Sequence, residues 1–280
     1  MKFTRSNDLA TGEAPAVALP PMGMEGVWFN CDPGTGEISK IVFAVRDGDV
    51  TMRAFGSSNP EPIDWGETRT KPYVDRIGSS VITGIAADYD FGFMKTRIAG
   101  NIKYGVLVIQ SYNEFCDESG RPAYFTREFF SQEITHRHPA LPAGAPCAAH
   151  SDQARQGTAA GTVDLSSFTG HWTNTNPETL AITHFDLFSR EGCYYIRAFG
   201  AGRTEPWGEA EATPHAYDAN SGRAVAFLAR YDWEFAELTL AGNENKGLVI
   251  IASYHRFKDA SRRSNYFKRE FFYRQEAVQR

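Results

Sequence analysis

The chain has 280 residues, 29 Lys+Arg against 34 Asp+Glu, a formal net charge of −5 and 42% hydrophobic residues, values that fit neither a basic nucleic-acid binder nor a disordered chain. No apolar run approaches the roughly 20 residues of a membrane helix. The N-terminus runs from Met1-Lys2-Phe3 into Ser6-Asn7-Asp8 instead of an apolar core, so no signal peptide and no membrane association are expected.

In chain order, residues 1–22 read as a loosely held arm. Gly26-Val27-Trp28-Phe29-Asn30 opens the first strand. Ile41 to Val45 ends at the turn Arg46-Asp47-Gly48-Asp49, and the next strand runs to Gly56. A short strand is expected near Trp65–Thr68. Val81–Tyr89, Phe91–Ala99, Val106–Asn113 and Ala123–Ser131 follow, with turns supplied by Gly100-Asn101 and Asp117–Gly120. Aromatic residues at 13%, with 20 Phe and 12 Tyr, support an all-β reading.

From residue 133 to 166 the composition shifts to Ala, Pro, Gly, Ser and Thr, with Pro139, Pro142 and Pro146, which reads as a linker. The first pattern then returns. Gly170-His171-Trp172-Thr173-Asn174 matches Gly26–Asn30, and Arg197-Ala198-Phe199-Gly200 matches Arg53–Gly56. Trp207-Gly208-Glu209 matches Trp65-Gly66-Glu67 after a two-residue deletion. Tyr266–Phe272 matches Tyr124–Phe130. Residues 23–132 and 167–276 are therefore expected to be two tandem, homologous domains. Each is expected to be a roughly eight-stranded antiparallel up-and-down β-barrel, with a β-sandwich as the competing arrangement.

The Gly-x-Trp of each copy, with an Arg on its last strand, resembles the signature of lipocalin and calycin barrels. The longer Gly-x-Trp-x-Asn is similar to the first strand of avidin-type barrels. The resemblance implies a small barrel whose Trp28 or Trp172 lies at the closed end, with Arg127 or Arg269 packed across it. It also implies that Asn30 and Asn174 contribute to a ligand pocket. Biotin binding does not carry over, because the tryptophan-rich later strands of avidins are missing.

The polar residues shared by both copies supply the candidate chemistry. Glu67 and Glu209, beside Trp65 and Trp207, are the acid–base candidates if desolvation raises their pKa. The competing reading pairs each with a neighbouring Arg. Arg53 and Arg197 share a strand face with Phe55 and Phe199; facing inward they are catalytic candidates that anchor an anion or stabilise developing negative charge, and facing outward they are solvated charges. Tyr112 and Tyr254 are candidates to stabilise developing negative charge. Trp28, Asn30, Phe55, Trp65 and Tyr89, with Trp172, Asn174, Phe199, Trp207 and Tyr231, are the ligand-binding candidates. Glu128 and Glu270 are expected in surface or interdomain salt bridges.

No metal or other cofactor is expected. No CxxC pair, GxSxG elbow, GxGxxG or P-loop occurs, and His136, His138, His150 and Cys147 in the linker form at most an adventitious site. Four cysteines without repeated spacing favour reduced thiols and a cytoplasmic location. The leading expectation is a cofactor-independent isomerase or cyclase acting on an apolar or aromatic small molecule in specialised metabolism. A non-catalytic small-molecule carrier, or a lectin-like or scaffold protein, is the alternative. A homodimer is compatible with each.

Overall fold

The structure is a computed structural model that describes residues 23–46, 49–58, 60–132, 162–261 and 263–275. The expected N-terminal arm, the turn residues Asp47 and Gly48, and the linker residues His136, His138, Cys147 and His150 lie outside the described residues.

Seventeen strands are described: β1 (Gly26–Asn30), β2 (Ile38–Arg46), β3 (Asp49–Gly56), β4 (Ile63–Arg69), β5 (Lys71–Val74), β6 (Ile82–Asp90), β7 (Met94–Lys103), β8 (Val106–Phe115) and β9 (Tyr124–Ser131). They continue as β10 (Gly170–Asn174), β11 (Ile182–Arg190), β12 (Cys193–Gly200), β13 (Ala210–Ala216), β14 (Ala224–Asp232), β15 (Ala236–Asn245), β16 (Leu248–Phe257) and β17 (Tyr266–Arg274). The described residues contain no α-helix, so no helix among them is long and apolar enough to cross a membrane.

The fold is all-β with a closed β-barrel. Within each half, consecutive strands pair antiparallel except β4 and β5, and the first strand also meets the last. Thus β1 pairs with β2 (Trp28↔Ile41) and with β9 (Asn30↔Phe130). In the same way β10 pairs with β11 (Trp172↔Phe185) and with β17 (Asn174↔Phe272). Closure leaves no exposed sheet edge at these seams. Thr70 interrupts the ladder between β4, which pairs with β3, and β5, which pairs with β6.

Alternation along each strand decides what is buried. In β2, Ile41 and Phe43 point inward with Trp28, Met52, Ile98 and Phe130. In the second half, Trp172, Phe185, Ile196, Phe227, Leu240 and Phe272 form the equivalent core. Each indole Nε1 donates to a backbone carbonyl four residues earlier, Trp28 to Met24 (2.7 Å) and Trp172 to Phe168 (2.8 Å). Leu165 and Phe168 are buried and Asp164 bridges Arg223, so packed chain begins within the segment expected as linker.

A third apolar cluster joins the halves. Tyr73, Tyr112 and Phe125 pack against Tyr254, Phe267 and small residues such as Ala241. Two parallel bridges flank it at equivalent positions, Tyr124↔Ala216 and Val74↔Tyr266. Gln110 Nε2 donates to Asn243 Oδ1 at 2.8 Å within the junction.

Two expectations are corrected. Gly100-Asn101 is not a turn but lies inside β7, opposite Ile109 and Val108. The hairpin turns instead at Tyr104 and Gly105 (φ 52° and 78°), a left-handed pair that matches the twist of the flanking strands. Nor do Arg127 and Arg269 cover the tryptophans. Phe130 and Phe272 face inward, so the arginines three positions earlier face outward, over Phe129 and Phe271 at 5.2 and 5.4 Å. Arg274 takes the place over Trp172, at 4.9 Å.

Candidate functional site

The candidate residues fall in separate places. Arg53, Phe55 and Glu67 lie together on the outward face of β3 and β4, because Met52, Ala54 and Val50 occupy the inward positions. Arg53 Nε donates to both oxygens of Asp64 at 2.9 and 3.0 Å, and this pairing pulls the Asp64 carboxyl down to about 2. Glu67 faces Arg46 at 3.7 Å. In the second half, Glu209 is held by Arg197 and, at 3.0 Å, by Arg190. Those hydrogen bonds keep the Glu209 carboxyl below the usual carboxylate range, opposite to the rise expected of a desolvated acid. Phe55 and Phe199 face the same solvent side, under Lys40 (3.8 Å) and stacked on His184 (4.2 Å).

Tyr89 and Tyr231 lie in the cores. Tyr89 Oη accepts from Ala54 N at 3.1 Å and donates to Met52 O at 3.2 Å. Tyr231 makes the same contacts with Ala198 N and Ile196 O. Burial pushes both phenols up. Trp65 and Trp207 pack edge-on against them. Trp28 and Trp172 are core residues with satisfied indoles. Tyr112 and Tyr254 lie in the junction between halves, edge-on to His215 and Tyr73 respectively.

Asn30 and Asn174 are different, because they meet residues that the sequence reading placed elsewhere. Asn30 Nδ2 donates to Ile38 O (2.8 Å) and to Glu128 Oε1 (2.7 Å). Thr35 Oγ1 also donates to Glu128 Oε1, and Ile38 N donates to Oε2 at 3.1 Å. The carboxyl thus fastens the β1–β2 loop across the part of β9 that β1 does not reach. Asn174, Thr179, Ile182 and Glu270 repeat the arrangement contact for contact. Burial pushes Glu128 up to about 7 and raises Glu270 too, against the pull of these hydrogen bonds. The expected salt bridges of Glu128 and Glu270 are therefore replaced by buried hydrogen-bond networks. The sequence signal was present: Asn and Glu recur in both copies, and the strand period puts Glu128 and Phe130 on one inner face.

This clasp borders a groove of about 880 Å³ lined by the loop 30–37, by Phe125–Phe129 and, from the second half, by Tyr217, Asp218, Val225 and Glu244. Phe125, Phe129, Tyr217 and Val225 supply apolar wall. Thr126 Oγ1, together with Ser111 Oγ opposite it in register, is buried without a hydrogen-bond partner among the described residues. The matching groove of the second half is about 200 Å³, and Lys268 stands there in place of Thr126. Among the described residues, no three His, Cys, Asp or Glu side chains are grouped to hold a metal ion. Compared with known proteins, the chain matches no family model and no curated sequence.

Proposed function

We propose that the chain is a tandem of two calycin-like, roughly eight-stranded barrels, residues 23–132 and 167–276, and that it is a non-catalytic binding protein for a small molecule. The pairing of each copy's first strand with both its second and its last supports the tandem reading. One observation carries the binding reading: the larger groove combines apolar walls with an unpartnered buried hydroxyl at Thr126. Side chains fill the barrel cores, so the ligand sits at the groove and not inside a barrel. Carboxylates at Asp32, Glu37, Asp218 and Glu244 outnumber the one lining cation, Arg127, and favour a ligand with an aromatic or apolar body and hydrogen-bond donors, such as an amine. Exposed free thiols at Cys31, Cys116 and Cys193 support a reducing, cytoplasmic setting.

Native mass spectrometry of the purified chain, with Thr126→Val and Tyr217→Ala variants, tests this. A co-purifying small molecule is expected on the parent chain and depleted on both variants. Retention on both variants defeats the assignment.

A second reading, an isomerase or cyclase, rests on Glu128. A buried carboxyl raised to about 7 at a groove wall is poised for proton exchange near neutral pH. The exposed, ion-paired Glu67 and Glu209 lend this chemistry no support. Glu128→Gln separates the readings: a catalyst loses turnover of the identified ligand, whereas a carrier keeps its affinity.

A further inference from the structure

Arginines among the described residues are almost all paired. Among the described residues, every one has a carboxylate, carbonyl or other polar partner except Arg127 and Arg269. These two are equivalent residues of the two copies, on the outward faces of β9 and β17. Each lies between an aromatic ring buried in the junction (Phe125, Phe267) and one nearer solvent (Phe129, Phe271). Both are half-buried. Both border the same junction cluster, because Phe125 and Phe267, two residues before each on the same strand face, pack within it, and the charge of Arg127 adds to burial in lowering the pKa of Arg269.

Two like charges drawn partly out of water, each without a counter-charge, are unfavourable as they stand. The carboxylates lining the adjoining groove are engaged elsewhere: Glu244 by Arg223 (3.7 Å), Glu128 by Asn30, Thr35 and Ile38, Asp32 by Gly34 N and Asp218 by Asn220 N, and Glu37 also has a partner. Beside Arg127, the Tyr112 hydroxyl is fully buried, without a hydrogen-bond partner among the described residues. Two planar guanidinium forks and an orphan phenol donor are a set that an oxyanion satisfies.

We propose that Arg127 and Arg269 form an oxyanion-binding site at the junction of the two copies, taking the phosphate or carboxylate group of a small ligand. Arg127 also lines the larger groove, whereas Arg269 lines the smaller one, so the effect of Arg269→Gln separates this site from the groove reading. One bound anion contacts both halves and so strengthens the junction that Tyr112, Phe125, Tyr254 and Phe267 build.

Isothermal titration of the full chain with inorganic phosphate and, separately, with benzoate in low-salt zwitterionic buffer tests the site. Saturable binding of one anion per chain is expected, with affinity falling about tenfold or more in Arg127→Gln and in Arg269→Gln. Arg69→Gln, at an exposed residue paired with Asp49, is expected to leave it unchanged. Tighter binding of phosphate identifies a phosphate ligand; tighter binding of benzoate identifies a carboxylate. Absence of saturable binding for both probes, or binding that survives Arg269→Gln, overturns the proposal. Should a Gln variant fail to fold, the Nε–Hε NMR signals of Arg127 and Arg269 in the parent chain decide. They shift on anion addition if the site exists and stay fixed if it does not.

Discussion

Position 128 shows how one residue's environment can reverse the role its type suggests. On a strand written Tyr-Phe-Thr-Arg-Glu-Phe-Phe, the Arg reads as the residue packed across the tryptophan and the Glu as a surface or interdomain salt-bridge partner. The strand period separates them, sending Arg127 outward and Glu128 onto the inner face under the β1–β2 loop. Burial then outweighs three donated hydrogen bonds and leaves the carboxyl near 7. The sign of the stability effect follows. The folded state holds its proton up to about pH 7, whereas an unfolded Glu releases it near pH 4.3. Between those values the folded state binds more protons, so stability falls as pH rises and levels off above about 7. Glu128→Gln is expected to remove this slope, roughly 3 kcal/mol across the window, in urea titrations at about pH 5 and pH 8. An unchanged slope would mean that the carboxyl is already ionised at the lower pH.

At the scale of elements, most strands were legible because alternation of large apolar residues marks them directly. The misplaced turn at Gly100-Asn101 shows where such reading stops. A glycine followed by an asparagine signals a turn by conformational freedom, yet Gly100 serves a different need. A Cβ there would come within 2.8 Å of Ile85 and 3.0 Å of Ile109. The glycine makes room for side chains from neighbouring strands, information that no local window contains. Its counterpart Gly242 is tighter still, with the Phe227 ring at 2.3 Å from the Cβ position. Gly242→Ala is therefore expected to destabilise by about 1–3 kcal/mol through overpacking, measured as a lower urea midpoint with unchanged slope. The same limit explains the site. Asn30 was recognised from its motif, but the partners of its amide, Ile38 and Glu128, are 8 and 98 residues away, and the clasp exists only once the strands have paired.

For the whole molecule, the repeated sequence pattern is legible, but the packing between its two occurrences is not. Tyr112 and Tyr254, near the ends of apolar strands, read as candidates to stabilise developing negative charge; the structure packs them between the halves, beside Ala226, Ala241 and Ala252. Small residues on one outward face are what a second sheet needs to approach closely, and that pattern is visible only when both faces are sorted. Because this junction is apolar, the halves are expected to unfold together. Tyr254→Ala, which opens a void in it, is expected to split the single calorimetric transition into two. A transition that remains single in the variant would assign the cooperativity to other contacts.

The short seams have a consequence for how the molecule is made. β1 meets β9 through two register pairs, and β10 meets β17 through three, across about a hundred residues of chain. Bringing such distant ends together costs about 4 kcal/mol of chain entropy, more than two or three ladder positions return alone. Local hairpins can assemble early, each over a few residues, into an open curled sheet. The ring then shuts late, when the tryptophan plug and the Asn–Glu clasp arrive together, so the seam is the last part of each copy to form and the first to part.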